Sequence, residues 1–162
     1  MIDRWREVYD REYPRLVRAL LAVGRDPAAA EDAAQEAFVK AHRTGLDKID
    51  NLTAWLFVVG SREVFKRAKQ VRREREVWAT VPPRGEALDT AADRADLLAA
   101  LGELPERQRA IVVARYFYGL SYDEIGDSFQ IKSGTVGATL HQAIERLRQI
   151  QLAGRLARGA MR

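Results

Sequence analysis

The sequence predicts an all-α protein with two small helical domains joined by a flexible linker. Apolar residues recur at three- and four-residue spacing through most of the 162 residues, as on the buried face of a helix. No segment alternates apolar and polar residues as a half-buried strand does. The central segment TVPPRGEALDTAAD contains two prolines and a glycine, which stop helices and indicate the linker.

The expected organisation follows from the same signals. The first domain spans residues 1–75, the linker 76–96, the second domain 97–150, and a basic C-terminal tail 151–162. The linker is acidic, whereas the segments on either side of it are basic. We therefore interpret residues 76–96 as an interdomain linker.

Three helices are expected in the N-terminal domain. The first covers about residues 3–22 and ends at Gly24. The second follows the cap Asp26 and the first-turn Pro27 and continues to about residue 43. The third covers about residues 53–75, apolar at first and then wholly polar.

The C-terminal domain is expected to contain a helix-turn-helix. A short lead-in at residues 97–101 precedes a helix that Pro105 opens and Gly119 closes. Ser121 and Glu124 form a capping box for the next helix. Ser133 is expected to cap the last one, so two helices meet at a tight turn near residues 130–132.

Composition limits the classes of function. Apolar residues make up 47% and charged residues 31% of the chain, which is typical of a globular protein. The absence of cysteine excludes disulfides, thiolate metal sites and cysteine nucleophiles. The N-terminus has no hydrophobic signal region and no run is long enough to span a membrane, so we expect a cytoplasmic protein.

Nothing in the sequence indicates an enzyme. The chain has two histidines, His42 and His141, and its acidic residues lie on polar helix faces without a convergent pattern. No strand precedes the glycines of SGTVG, so they do not form a phosphate-binding loop. We expect no catalytic residue, no metal and no cofactor.

Two N-terminal segments are candidates for function. In AEDAAQEAFVKAHR, alanines and one phenylalanine form a slim apolar face, and the other face is polar; taken alone, this is typical of a half-buried helix. The segment Ser61–Arg75 holds seven basic and two acidic residues. Lys66, Lys69 and Arg73 fall on one stripe with Arg62 a turn earlier, so the helix either neutralises nucleic-acid phosphates or is a solvated helix end.

The helix-turn-helix has an unusual charge for a DNA-binding motif. From Ser121 to Glu145 there is one basic residue, Lys132, against four acidic residues. This charge opposes binding to a polyanion. Helix-turn-helix motifs also occur in protein-binding domains, and a stand-alone repressor would leave residues 26–75 without a function.

Three segments in order carry a resemblance to a known family. AEDAAQEAFVKAHR is followed by NLTAWLFVVGSREVFKRAKQVRR, a linker and LGELPERQRAIVVARYFYGLSYDEIGDSFQIKSGTV. This arrangement resembles the extracytoplasmic-function (group 4) sigma factors of bacterial RNA polymerase, in the sigma-70 family, over residues 5–75 (sigma region 2) and 97–148 (sigma region 4). The resemblance implies a dissociable promoter-specificity subunit.

The resemblance also implies partners and site residues. The partners are core RNA polymerase, promoter DNA and an anti-sigma factor that holds the protein inactive, with no membrane contact except through the anti-sigma factor. Residues on the second helix are implied to bind core polymerase: Asp32, Gln35, Glu36 and Val39. Residues in the following loop and helix are implied to bind the minus-10 element: Lys48, Asn51, Trp55, Arg62, Lys66, Lys69, Arg72 and Arg73. Residues around the last helix are implied to bind the minus-35 element: Lys132, Ser133, Thr135, Val136, Thr139, His141 and Gln142.

The last helix departs from the family pattern. Relatives carry Lys or Arg at four positions soon after the GTV motif, whereas residues 137–144 of this chain are GATLHQAI. We therefore expect residues 121–150 alone to bind promoter DNA weakly and most DNA affinity to reside in Arg62–Arg73. The alternative is a sigma-like interaction module that binds polymerase or an anti-sigma factor with little minus-35 reading.

Overall fold

The computed structural model describes residues 2–77 and 92–160, and every regular element in those two ranges is helical. The elements are α1 (Ile2–Gly24), α2 (Pro27–Thr44), a 3-10 turn (Leu46–Lys48), α3 (Leu52–Val77), α4 (Ala92–Gly102), α5 (Glu106–Tyr116), α6 (Tyr122–Phe129) and α7 (Ser133–Ala160). The all-α prediction is confirmed. The described residues form two compact units, one within residues 2–77 and the other within residues 92–160.

In the N-terminal unit, α1, α2 and α3 each pack against the other two. The alanine face of α2 is the contact surface, because its alanines and Phe38 are all buried. Two glycines allow the backbones to approach closely. A Cβ atom at Gly60 would lie 2.7 Å from the Leu20 Cδ1 atom, and a Cβ at Gly24 would overlap the Val64 side chain.

Local capping explains where these helices begin and end. The Asp26 carboxylate accepts hydrogen bonds from the backbone N–H groups of Ala28 and Ala29, and Pro27 is the first helical residue. Gly45, with φ of 91°, closes α2. The caps predicted for α2 are therefore confirmed.

In the C-terminal unit, α7 packs against α4, α5 and α6. The largest fully buried side chains at the centre of this unit are Leu104, Ile111, Ile125, Val136 and Leu140. The unit thus has its own apolar core, built mainly on the inner face of α7.

The helix-turn-helix has the predicted capping box and a tight turn. Ser121 Oγ accepts from the Glu124 N–H at 3.1 Å, and the Glu124 carboxylate accepts from the Ser121 N–H at 2.7 Å. Gln130 then adopts a left-handed conformation with φ of 57°. Gly126 lies against the turn, and a Cβ there would be only 2.7 Å from the Ile131 carbonyl oxygen.

The boundaries of three segments differ from the sequence expectation. The predicted lead-in at 97–101 is part of α4, which begins at Ala92, so the described ends of the 76–96 range are helical; residues 78–91 lie outside the described residues. Residues 151–160 continue α7 rather than forming a separate tail, because their leucine, alanine and arginine residues favour helix. Ser133 is the first residue of α7 rather than its cap.

None of the helices in residues 2–77 and 92–160 is long and apolar enough to cross a bilayer.

Candidate functional site

The outer face of α2 displays four residues at helical spacing. Asp32, Gln35 and Val39 are exposed and Glu36 is half-buried, while the alanines on the opposite face are in the core. Positions i, i+3, i+4 and i+7 share one side of a helix. The structure therefore brings the four residues predicted on α2 together on one accessible surface.

Ion pairs join the edge of this surface to α3. Arg67 donates to the Asp32 carboxylate at 2.6 Å, and Lys40 donates to Glu63 at 2.5 Å. Lys40 also lies 3.8 Å from Glu36, one turn away on α2. All of these side chains keep contact with solvent, so each pair contributes little to stability. The carboxylates remain available to a partner.

An aromatic groove adjoins the same face. It has a volume of about 440 Å³ and lies between α1 and α2. The ring of Trp5 meets the rings of Phe38 and His42 edge-on, at centroid distances of 6.0 and 5.2 Å. The groove is lined by Trp5, Tyr9, Gln35, Phe38, Val39, His42 and Arg43.

Helical spacing places Trp5 and Tyr9 near one side of α1 but does not indicate this groove. Both side chains are half-buried, and Tyr9 stacks on Tyr13 with a centroid distance of 4.7 Å. Burial, together with the neighbouring Tyr13 and Asp10, raises the pKa of Tyr9. The sequence feature that could have indicated the groove is Val39, an apolar residue on the polar face of α2. In the structure its side chain is 43% exposed.

The segment between α2 and α3 contains a short 3-10 turn and is held by side-chain contacts. Lys48 is exposed on this segment, and Arg4 of α1 donates to Asp47 at 3.0 Å. The Asn51 side-chain oxygen accepts from the Ala54 N–H at 3.0 Å, so Asn51 caps α3. Asn51 therefore has a structural role in addition to the DNA contact predicted for it.

The basic stripe of α3 is open to solvent. Its predicted DNA-binding cations are all exposed: Arg62, Lys66, Lys69, Arg72 and Arg73. Glu63 and Arg67, in contrast, contact residues of α2. Trp55, near the start of the helix, is half-buried. One face of α3 thus packs on α2 while another presents positive charge.

The start of α7 presents a mostly neutral surface. Lys132, Ser133, Thr135, His141 and Gln142 are exposed as expected for a reading face. The Thr139 hydroxyl donates to the Thr135 carbonyl oxygen at 2.7 Å, and Thr139 is half-buried.

The assignment of Val136 to DNA binding is corrected by the structure. Its side chain is 0% exposed, because it points into the core between α6 and α7. An apolar residue at this position stabilises the helix-turn-helix and does not reach a base.

An aromatic side chain missed by sequence reasoning lies beside α7. The ring of Tyr122, which is 44% exposed, sits where a Cβ on Gly137 would be 3.4 Å from its Cε2 atom. The Arg115 guanidinium lies 5.4 Å from the centre of the same ring, within the range of a cation–π contact. The sequence signal that could have indicated Tyr122 is a large aromatic residue at the first position of α6, directly after the capping residue Ser121.

Each of the two units matches a family model. The model described as Sigma-70 region 2 matches residues 8–74, and the model described as Sigma-70, region 4 matches residues 94–147. The first match includes the outer face of α2 and the basic stripe of α3, and the second covers the helix-turn-helix.

Individual proteins are similar over most of the chain. The ECF RNA polymerase sigma factor SigL of Mycobacterium tuberculosis is 30% identical over 152 residues, covering 88% of this chain and 86% of SigL. RNA polymerase sigma-E factor of Streptomyces coelicolor is 28% identical over 138 residues, covering 83% and 78%. Sigma factors direct core RNA polymerase to promoters.

Solved structures share the fold. RpoE of Bartonella quintana, crystallised with the anti-sigma factor NepR, matches with a TM-score of 0.73 and 23% identity, covering 93% of this chain and 98% of RpoE. CnrH, in complex with the cytosolic domain of CnrY, matches with a TM-score of 0.71 and 20% identity, covering 94% and 90%. With both region models matched and SigL similar along nearly its whole length, the chain belongs to the extracytoplasmic-function sigma factors of the sigma-70 family.

Proposed function

We propose that this sigma factor binds promoter DNA chiefly through its N-terminal unit and uses the C-terminal unit as a weaker DNA contact. The observation that supports this is the difference in charge between two exposed helix faces. α3 exposes a row of cations from Arg62 to Arg73, whereas Ser133–Gln142 at the start of α7 has no Lys or Arg. Because each phosphate neutralised by a cation adds affinity, most of the DNA affinity is expected in α3.

The outer face of α2 is the proposed docking surface for core RNA polymerase. Asp32, Gln35, Glu36 and Val39 supply charge, an amide and an apolar contact on one accessible stripe. The aromatic groove beside Val39 extends this stripe towards α1. An exposed apolar side chain next to a groove with a polar rim is typical of the centre of a protein interface.

The segment from Leu46 to Thr53 and the helix after it form the proposed minus-10 surface. A base that leaves the DNA stack exposes its edges to hydrogen bonding, and a short loop beside a half-buried tryptophan suits such a base. Lys48, Asn51 and Trp55 would contact the unpaired strand. The exposed cations of α3 would hold its phosphates.

The proposed minus-35 surface is the start of α7. Its polar side chains are Lys132, Ser133, Thr135, Thr139, His141 and Gln142. These groups offer hydrogen bonds to base edges, and threonine methyl groups offer contact with thymine. With a single cation, Lys132, this surface is expected to bind promoter DNA weakly and to support the stronger contact of α3.

An anti-sigma factor is a proposed partner. Support comes from the shared fold of Bartonella quintana RpoE, which was crystallised with the anti-sigma factor NepR. Membrane contact is proposed only through such a partner, and the site of action is the cytoplasm, where core polymerase works. We assign no catalytic residue, metal or cofactor to the chain.

Transcription with core polymerase tests the proposal. The full chain is incubated with bacterial core polymerase and a genomic promoter library, and transcript starts are mapped by sequencing. We expect starts at a defined promoter set. Replacing the α3 cations Lys66, Lys69 and Arg73 by alanine should abolish most of them, whereas alanine at Thr135 and Gln142 should lower yield and keep the same start sites. Core binding without specific initiation would instead support the interaction-module alternative.

A further inference from the structure

A buried carboxylate lies on α1 close to the segment that connects α2 and α3. Glu12 is 6% exposed, and among the side chains whose burial is described, in residues 3–73 and 96–154 apart from 152, it is the only buried charged one. A carboxylate removed from water is unfavourable unless hydrogen bonds and a countercharge compensate for the lost hydration. Its presence in the core therefore requires a structural explanation.

The contacts of Glu12 supply one. Arg11 donates through its Nε atom to Glu12 Oε1 at 2.9 Å, which provides the countercharge. The Thr53 hydroxyl donates to the other oxygen, Oε2, at 3.3 Å. Thr53 lies in the first turn of α3, where the partial positive charge of the helix N-terminus also favours an anion. The carboxylate thus connects α1 to the first turn of α3.

A second contact from α1 holds the other end of the same segment. Arg4 donates to Asp47 at 3.0 Å, in the 3-10 turn. This turn has no buried residue, so packing contributes little to its position. The two contacts from α1 lie at opposite ends of Leu46–Thr53. Of these, the contact between Glu12 and Thr53 involves a buried carboxylate.

We propose that Glu12 is a positioning residue for promoter opening, which fixes Leu46–Thr53 in the geometry that receives an unpaired minus-10 base. The inference rests on the proposed minus-10 role of that segment. Displacing a binding group by about 1 Å can lower a rate by as much as about a hundredfold, so a contact remote from DNA can control promoter opening. Glu12 itself does not touch DNA in this scheme.

The test begins with Thr53, because its variants disturb the fold less than loss of a buried charge does. Thr53→Val removes the hydroxyl at nearly constant size, and Thr53→Ser keeps the hydroxyl. Each variant is assembled with core polymerase, and transcription is measured from a promoter recovered from the genomic library with its minus-10 bases randomised. For Thr53→Val we expect promoter opening to fall about tenfold and the base preference to flatten, with core affinity unchanged within about twofold. Thr53→Ser should restore both.

Variants of Glu12 test the side chain that accepts the hydrogen bond from Thr53. Glu12→Gln retains an oxygen that accepts from Thr53 and should keep the base preference. Glu12→Ala should reproduce the profile of Thr53→Val, and the double variant Glu12→Ala/Thr53→Val should show no further flattening, because both changes remove the same hydrogen bond. Thermal unfolding of every variant is measured in parallel. A flattened preference that disappears once assays are run well below each unfolding midpoint would show that the contact is only structural and would overturn the proposal.

A control on the segment separates this inference from the proposed function. Lys48→Ala and Asp50→Ala alter exposed side chains of the segment without touching the Glu12 contact. If both leave the minus-10 preference unchanged, the segment does not read the promoter and both proposals fail. If they change the preference while Thr53→Val does not, the minus-10 role stands and the positioning role of Glu12 is overturned.

Discussion

Arg67 of α3 lies 2.6 Å from the carboxylate of Asp32 on α2, so the proposed polymerase surface and the basic helix are joined by an ion pair. Both side chains are about half exposed, and pairs of this kind contribute at most about 1 kcal/mol to stability. The ion pair between Asp32 and Arg67 therefore contributes little to the stability of the fold. The Asp32 carboxylate is accessible on the stripe that also contains Gln35 and Val39.

Alanine at Asp32 should separate docking from stability. We expect Asp32→Ala to lower the affinity for core polymerase at least about tenfold, since a charged interface contact is lost. The free energy of unfolding should change by less than about 1 kcal/mol. Affinity is measured by fluorescence anisotropy of labelled protein, and stability by denaturant unfolding. Arg67→Ala is the matched control because it breaks the same ion pair and leaves the carboxylate. If Arg67→Ala lowers polymerase affinity equally, the loss results from breaking the Asp32–Arg67 ion pair and not from removing the carboxylate.

Removing the cations of α3 should change the salt dependence of promoter binding. In the holoenzyme, Lys66→Ala/Lys69→Ala/Arg73→Ala is expected to lower the slope of log K against log salt by about three units, because each phosphate contact contributes roughly 0.9. The control triple variant replaces Arg6, Arg18 and Arg25, which are also exposed cations of the N-terminal unit but lie outside α3. It changes net charge equally. Should both variants shift the slope alike, a general charge effect would explain the data better than a DNA-binding stripe.

The sequence predicted helix type and capping well because these depend on local chemistry. Asp26 and the Ser121–Glu124 box form the predicted hydrogen bonds, since a side chain and the backbone a few residues later are close in any helix start. The exposed row of cations on α3 follows from helical spacing in the same way.

Contacts between helices were not predictable from spacing. Periodicity placed Trp5 and Tyr9 near one side of α1 but did not show that α2 leaves a groove beside them. The burial of Glu12 likewise depends on where α3 begins relative to α1. Val136 was assigned to DNA binding from the family resemblance, whereas its helical spacing with Leu140 predicts the buried face of α7, where the structure places it.

The turn of the helix-turn-helix should tolerate no side chain at Gly126. A Cβ atom there would lie 2.7 Å from a backbone oxygen of Ile131, so the turn must shift in Gly126→Ala. We expect a loss of about 1 to 3 kcal/mol in the C-terminal unit. Gly134→Ala is the control, because a Cβ at that helical position meets nothing within 4 Å and alanine favours helix. Hydrogen exchange of α5–α7 amides reports on both. Equal protection in the two variants would contradict the close approach.

Val136 should act as a core residue. Val136→Ala is expected to cost about 2 kcal/mol through lost burial and a residual cavity. Gln142→Ala, on the exposed face of the same helix, should change stability by less than about 0.5 kcal/mol. The amide protection of α6 and α7 measures each change. A negligible effect of the valine variant would mean that its side chain is not packed as the structure indicates.

Adding a cation to the start of α7 should strengthen the proposed minus-35 contact. Gln142 is exposed at the start of α7, on the proposed minus-35 surface. In the holoenzyme we expect Gln142→Arg to raise promoter affinity about tenfold and to steepen the salt slope by about one unit. Ala99→Arg adds the same charge at an exposed position of α4, away from the proposed reading face, and should leave both quantities nearly unchanged. Filter binding across a salt series measures the two variants. A similar gain from Ala99→Arg would attribute the effect to net charge, and no gain from either variant would show that the start of α7 does not meet promoter DNA.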